Sequence, residues 1–396
     1  MSDSQSRQSG ELGLPGAWAM GVGGMIGGGI FSTLGVVISL AGQWAAVSFM
    51  IGGVIALATG HCLSALTVDA DKPGGIYRFL RDLDDVTAAK LSAWVLLLGY
   101  TLTIAVYGFT FGSYVANAIG GPAWLPQAIA AGAIIVLAGV NLRSTGDAAG
   151  LEIAIVVGKL IILTGLAIFG LVQFAPGRLV IDQPPGWFGA ILGAASVFMA
   201  YEGFELLAYD YDEMKDRKKL IHRVIPLTIL TAMGVYVAIA LATPMLVDTA
   251  RIVQDGEVAL AMAGQAVLGK AGLLIVTAAA AMSTGSAINA TLFSAARLAD
   301  EVSREDELPS MFADRNKAGS PYVSVLVIAA GALALALLGG LTSLVSAASI
   351  VFLTVFGVVD LLAWRRGVGR SWIAAGGTVG AFLATVLLLG HLAGVI

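Results

Sequence analysis

An all-α protein that crosses a membrane many times, arranged as two inverted repeats of five helices plus one further helix, is the fold class this sequence predicts. Three observations predict it. The chain has 396 residues, 58% of them hydrophobic and only 12% charged, against about 25% charged in an ordinary soluble domain. Apolar windows of about 20 residues, each enough to span a bilayer, recur eleven times. The first and sixth windows are both interrupted at mid-span, and the interruptions lie about 174 residues apart. Paired interrupted helices in corresponding positions are the mark of a transporter repeat, and an odd number of spans per repeat forces the two copies into opposite orientations.

The spans are expected at about 13–40, 43–67, 89–116, 125–141, 151–174, 187–211, 224–247, 271–298, 321–340, 343–364 and 372–394. They divide the chain into a short cytoplasmic tail (1–12), a first five-helix repeat (13–174), a second, inverted repeat (187–364) and an extra C-terminal transmembrane helix (372–396). With the N-terminus in the cytoplasm, 18 of the 22 Lys and Arg residues fall on that side, three (Arg178, Arg251, Lys270) fall outside, and Lys159 lies within a span. That bias follows the positive-inside rule and puts the C-terminus outside a multi-pass protein of the cell membrane. A net charge of −4 suggests no nucleic-acid partner, and the acidic start is too short for a targeting peptide. The single cysteine, Cys62, excludes an internal disulfide and a cysteine-based metal cluster; no metal and no cofactor are expected.

The first span carries Gly23-Gly24-Met25-Ile26-Gly27-Gly28-Gly29-Ile30-Phe31. Each glycine costs a helix interior about 1 kcal/mol relative to Ala, so a break is expected here, with freed N–H groups aimed at an anionic group such as a carboxylate. The same glycines also satisfy the small-xxx-small spacing that lets membrane helices pack closely. No Lys-Ser or Lys-Thr follows, which argues against a nucleotide loop. In the second span His61 reads as a packing residue. The loop after it, with Lys72-Pro73-Gly74-Gly75-Ile76-Tyr77 and mixed charges, has fixed turns and a solvated face. The third span places Tyr100 and Tyr107 on one helical face, with Tyr107 a candidate wall for a substrate side chain.

Lys159 is the least comfortable residue of the fifth span. A mid-span lysine costs about 2.5–3.5 kcal/mol on insertion scales and sits too deep to snorkel, so it should be partnered by protein or water. The sixth span repeats the logic of the first: Phe198-Met199-Ala200-Tyr201-Glu202-Gly203-Phe204-Glu205 puts two carboxylates and a glycine at mid-span, so a break is expected near Tyr201 to Gly203. The basic loop Lys215 to Arg223 anchors the cytoplasmic side, and the outside stretch Asp248 to Ala263 has room for a short amphipathic helix. The eighth span concentrates Ser283, Thr284, Ser286 and Asn289, oxygen-bearing side chains that line a cation or proton site or bond neighbouring helices. Asp360 lies close enough to the inner end of the tenth span to be solvated.

Met25-Ile26-Gly27-Gly28-Gly29-Ile30-Phe31 resembles the first-helix signature of the amino acid-polyamine-organocation (APC) permeases, with Gly28 where a serine or threonine is more usual. Pro73-Gly74-Gly75-Ile76-Tyr77, Phe198 to Glu205, and Arg297 with Leu308-Pro309 resemble the family's other signatures in the right order. The resemblance covers about residues 10–365 and implies the LeuT-type fold. It implies that the amides of Gly27, Gly28 and Gly29 hold a substrate carboxylate, while carbonyls near Ile26, Phe198 and Ala200 hold its amino group. Lys159 is similar in position to a helix 5 lysine that, in some sodium-independent members, fills the space of a sodium site between helices 1, 5 and 8; Ser283 and Ser286 are candidates for its neighbours. Most relatives have twelve spans; here the twelfth is not seen.

The expected function is therefore sodium-independent, proton-coupled symport of an amino acid with a small or medium neutral side chain, whose wall is Tyr107, Phe198, Tyr201 and Phe204. Its partners are the amino acid, protons and the lipid bilayer. Glu202 is expected to gate or brace the break, the alternative being selection of a cationic amino acid or polyamine; exchange or export is the other alternative. A channel would need a continuous polar pore, whereas the intramembrane polar residues cluster at two breaks and one lysine. An enzyme would need a catalytic constellation, and the three histidines stand apart with no HExxH or GxSxG motif.

Overall fold

The computed structural model describes residues 12–83, 85–143, 149–181 and 186–395, so the expected tail, but for Leu12, lies outside the described residues. These are helical throughout, with two isolated β-bridges. In chain order the helices are α1 (Leu14–Ala41), α2 (Ala45–Ala70), α3 (Ile76–Arg81), α4 (Val86–Ile119), α5 (Leu125–Asn141), α6 (Ala149–Val172) and α7 (Phe188–Ser196). There follow α8 (Leu206–Tyr209), α9 (Arg217–Leu246), α10 (Thr249–Gln254), α11 (Ala259–Arg304), α12 (Tyr322–Leu338), α13 (Leu341–Arg366) and α14 (Ser371–Leu392). Seven helical runs are long and apolar enough to cross a membrane; the first, Leu14–Ala70, contains α1 and α2. The pair Phe188–Ser196 and Phe198–Tyr209, bent by 56°, makes an eighth if it is one span, and α5 and α12 are apolar but shorter.

Local chemistry sets the ends. Gly42, at φ 53, lets the chain leave α1 and turn at once into α2, a backbone state that costs a side chain but not glycine. The Asp85 carboxylate accepts from Ala88 N at 3.0 Å and caps α4, satisfying one of its orphan amides. Gly367, at φ 65, stops α13 just after Arg365 and Arg366, whose charges suit the negative end of a helix.

Because lipid is as apolar as a protein core, tight packing rather than escape from water holds such a bundle together. The small residues lie accordingly at the crossings. A Cβ on Gly35 would collide with the backbone of Gly256, and one on Gly112 with the Pro126 carbonyl. Buried along most of its length, α1 forms the axis, flanked by α4, α6, α7, α9 and α11.

Three sequence expectations need correction. The break expected in the first span is absent: α1 is one continuous helix from Leu14 to Ala41. Its glycines are offset by contacts that only glycine permits, since a Cβ on Gly27 would stand 2.8 Å from that of Ala287 and one on Gly29 would stand 2.9 Å from the Ala200 carbonyl. The basic stretch expected as a loop is instead largely the first turns of α9, which starts at Arg217 and carries Pro226 inside it. The eighth span needs no such change: α11 starts at Ala259, but non-helical Leu268 and Gly269 divide it into two helical pieces, and the second begins next to the expected start near 271. Asp360 is fully buried rather than solvated, packed beneath α2 and against Gly377 of α14.

Candidate functional site

The sixth-span interruption is where the sequence expected it. Ser196 ends α7, Phe198–Tyr201 forms one tight 3-10 turn, and regular helix resumes only at Leu206. Gly203 makes the break possible. Its φ of 118 belongs to glycine, and a Cβ there would stand 2.8 Å from Gly24 C and Met25 N. The irregular strand of chain therefore lies directly on the backbone of α1.

Freed backbone groups in hydrocarbon cost several kcal/mol each unless partnered, and side chains from other helices partner these. Met199 N donates to Ser349 Oγ at 3.0 Å, Ser349 Oγ donates to Ser196 O at 2.7 Å, and Ser196 and Ser346 share a 2.8 Å hydroxyl contact. The Tyr236 hydroxyl lies 2.8 Å from Ala200 O and 2.7 Å from Met25 O. One proton serves both acceptors, so this tyrosine ties the break to α1 loosely enough to choose between them. Gly203 N donates to Glu205 Oε2 at 2.7 Å, and Tyr107 OH donates to Glu202 Oε2 at 3.3 Å.

Tyr107, Phe198, Tyr201 and Phe204, the expected wall, are all buried around this break. The Tyr201 ring lies 5.4 Å from that of Tyr236 and the Phe204 ring 5.2 Å from that of Phe356, within the range in which aromatic pairs attract. The Tyr201 hydroxyl donates to Phe49 O. The expected carboxylate pocket at Gly27, Gly28 and Gly29 is closed. In an unbroken helix their N–H groups bond to the carbonyls four residues back, and the Tyr107 ring packs into the space a Gly28 side chain would take. Ser32 and Thr33 hydroxyls donate back to Gly28 O and Gly29 O, each at 2.8 Å, which further engages this stretch.

Lys159 reaches the same stretch from α6. Its Nζ donates to Gly23 O at 3.0 Å and to Ser283 Oγ at 3.4 Å, while Ser283 Oγ donates to Ile26 O at 2.9 Å. One ammonium thus joins α6, α1 and α11. Ser286 is half-buried one turn further along α11 and is not in this chain of bonds; Asn289 instead accepts from Asn141 at 2.9 Å. His61 accepts from Arg370 N at 3.1 Å and braces the turn between α13 and α14.

Below the break a cavity is lined by Thr59, Tyr100, Glu205, Tyr209 and Phe356, with Gly75 and Ile76 as its floor. Helix α3 provides that floor and is fastened to the end of α11. Arg78 pairs with Glu301 at 2.7 Å, and Arg81 with Glu305 at 2.5 Å and Glu307 at 2.6 Å. Burial, then the Glu307 carboxylate beside it, pushes the Tyr77 phenol on α3 well above its ordinary value. Gly74 N donates to Ala208 O at 3.1 Å, so the loop before α3 is also attached to the far side of the break.

Tyr236, Ser346 and Ser349 belong to no sequence motif. Ser346 and Ser349, three apart in an apolar helix, share a face and so form a legible pair in retrospect; a lone tyrosine in α9 has no such signal.

Residues 12–392 match the amino acid permease family. The inner membrane transport protein YbaT of Escherichia coli is 30% identical over 362 residues, 89% of this chain and 83% of that one. The serine/threonine exchanger SteT of Bacillus subtilis is 28% identical over 76% of this chain and 69% of its own. The mouse Asc-type amino acid transporter 1 is 27% identical over 90% of this chain and 71% of its own.

Proposed function

Because the chain belongs to the amino acid permease family, we propose that it is a sodium-independent, proton-coupled importer of amino acids with small or medium neutral side chains. The observation that carries this reading is the Lys159 ammonium, set between Gly23 O and Ser283 Oγ at the crossing of α6, α1 and α11. A cation fixed in the protein there removes the need for a bound sodium ion. A lysine can also release its proton, and release would untie three helices at once. The substrate class rests on the apolar ring set around the helix break and on the relative named as a serine/threonine exchanger.

The architecture proposed with it is the LeuT-type inverted repeat, 13–174 and 187–364, with 372–396 as an extra helix and the N-terminus cytoplasmic. Taking α1 and α2 as separate crossings, counting the bent pair as one span and adding α5 and α12 gives eleven. In this reading the continuous α1 has to open for substrate to be held. Binding opens the helix at Gly27 to Gly29, so that the amides meet the carboxylate and the carbonyls of Ile26, Phe198 and Ala200 meet the amino group.

Exchange is the second reading, favoured by the relative named as an exchanger. Purified protein in liposomes separates the two. Labelled serine, threonine or leucine should accumulate when the outside is made acidic, with or without sodium. Uptake that requires unlabelled amino acid inside and ignores the proton gradient would leave exchange standing and remove symport. Competition by arginine or polyamines, but not by alanine, serine or leucine, would remove the neutral substrate class.

A further inference from the structure

A second intramembrane carboxyl stands apart from Lys159 and from the substrate-facing residues. Asp360 of α13 is 0% exposed and lies six residues before the end of a helix, Leu341–Arg366, that is long and apolar enough to span the membrane. Its Oδ2 accepts from Thr59 Oγ1 at 2.9 Å, and its Oδ1 has no hydrogen-bond partner. Among the described residues no lysine or arginine pairs with it. The titratable groups facing it are few. The Cys62 thiol of α2 lies within hydrogen-bond reach of the carboxyl, and Gly377 of α14 packs against its Oδ2. Arg366 on its own helix is more than a turn away and pairs with Asp69 at 3.6 Å.

An ionisable group inside a membrane is costly and calls for a stated partner. An oxygen without a donor there is answered by a proton or by a metal cation. The donor set decides between them: one carboxyl, one hydroxyl and one thiol fall far short of the oxygen cage, roughly six or more ligands, that hard cations take. A proton needs only the free Oδ1.

The proton has somewhere to go. Thr59, which holds Asp360, also lines the cavity below the helix break, and Glu205 lines the same cavity from the other side. Glu205 Oε2 is engaged by Gly203 N, whereas its Oε1 is buried without a partner. Glu205 thus stands on the wall of a cavity wide enough for a water, and Asp360 stands behind that wall, joined to it by Thr59; Tyr100 and Tyr209 are the other titratable groups on the wall.

We propose that Asp360 is a second proton-binding site of this protein, exchanging its proton with Glu205 through the cavity that Thr59 lines. In the transfer the Asp360 Oδ1–H bond breaks, a cavity water takes that proton and gives one of its own to Glu205 Oε1, and an O–H bond forms there; no electron pair leaves either carboxyl. Thr59 keeps its hydrogen on Oδ2 throughout and orients the carboxyl. The site connects the break in the sixth span, which meets substrate in the proposed transport cycle, with the cytoplasmic floor formed by α3. It rests on the chain being a transporter and does not rest on the role given to Lys159.

The test uses the full-length protein in lipid nanodiscs and infrared difference spectra between acidic and alkaline buffer. Wild type should show the carbonyl stretch of a protonated, buried carboxylic acid that responds to pH; Asp360→Asn should lose one such component, and Asp360→Glu should keep it at a shifted frequency. In liposomes, Asp360→Asn should flatten the pH profile of uptake while counterflow continues. Should Asp360→Asn fail to insert, Thr59→Val serves instead: the hydroxyl that donates to Oδ2 is lost, the carboxyl stays, and its band should move. An unchanged set of acid bands in Asp360→Asn, or in Thr59→Val, overturns the proposal. The same spectra recorded on Lys159→Ala keep the two ideas apart, because the Asp360 component should persist there even if lysine proves to have no coupling role.

Discussion

Replacing Lys159 removes the contact that joins three helices, and its geometry sets the size of the effect. The 3.0 Å bond to Gly23 O is charge-assisted, whereas the 3.4 Å approach to Ser283 Oγ is too long to add much. A charged hydrogen bond contributes about 1.5–3 kcal/mol, which is about a 10- to 100-fold shift between tied and untied arrangements. The partners are not orphaned. Gly23 O keeps its place in the α1 ladder and Ser283 Oγ still donates to Ile26 O at 2.9 Å. Lys159→Met fills the aliphatic volume, and exchanging a buried charge for an apolar side chain is often neutral for stability. The expected result is a protein of near wild-type thermal stability that exchanges labelled amino acid in liposomes but no longer concentrates it under an inward proton gradient. Lys159→Arg sharpens the test. A guanidinium stays charged, so it should reproduce a permanent tie and fail to couple. If either variant accumulated substrate in response to a pH gradient as the wild type does, proton release from this lysine could not be the coupling step.

Three further predictions follow from the site. Gly28→Val should abolish binding with the protein still inserted, because a branched side chain would enter the space held by the Tyr107 ring at an overpacking cost of about 1–3 kcal/mol; wild-type affinity in a detergent binding assay would mean that the glycines serve helix packing alone. Tyr236→Phe removes the hydroxyl shared by Met25 O and Ala200 O, a loss of about 1 kcal/mol, and should raise amide hydrogen exchange across 198–205; unchanged protection there would deny the tie. Arg81→Gln leaves the nearly buried Glu307 without its countercharge and should loosen α3 from the end of α11. In a Cys62→Ala background a cysteine at Leu63, on the cavity wall, should then react faster with an impermeant thiol reagent added on the side of α3, and an unchanged rate would mean that α3 does not cover the cavity.

What was legible in the sequence was what hydropathy and cost make visible. A lysine deep in an apolar run must be partnered, and it is, by a carbonyl and a hydroxyl from two other helices. Carboxylates beside a glycine make a helix hard to continue, and the chain bends between α7 and α8. The glycine run in the first span was ambiguous for a physical reason: the residue that weakens a helix is also the one that lets a second backbone approach it. Which effect wins depends on neighbours that are remote in sequence. Here Gly24 meets Gly203 at 3.3 Å and Gly27 meets Ala287 at 2.8 Å from an added Cβ, so close approach wins and α1 stays whole. Asp360 was misread for a related reason, since distance along a helix from its cytoplasmic end says nothing about whether α2 and α14 cover it. The two errors share a consequence for mechanism. A first helix whose glycines are offset by contacts with Gly203 and Ala200 of the sixth-span break, with the Tyr107 ring and with Ala287 stays continuous only while those neighbours stay packed against it; loosening Tyr236, Gly203 or Lys159 should therefore let α1 open together with the break.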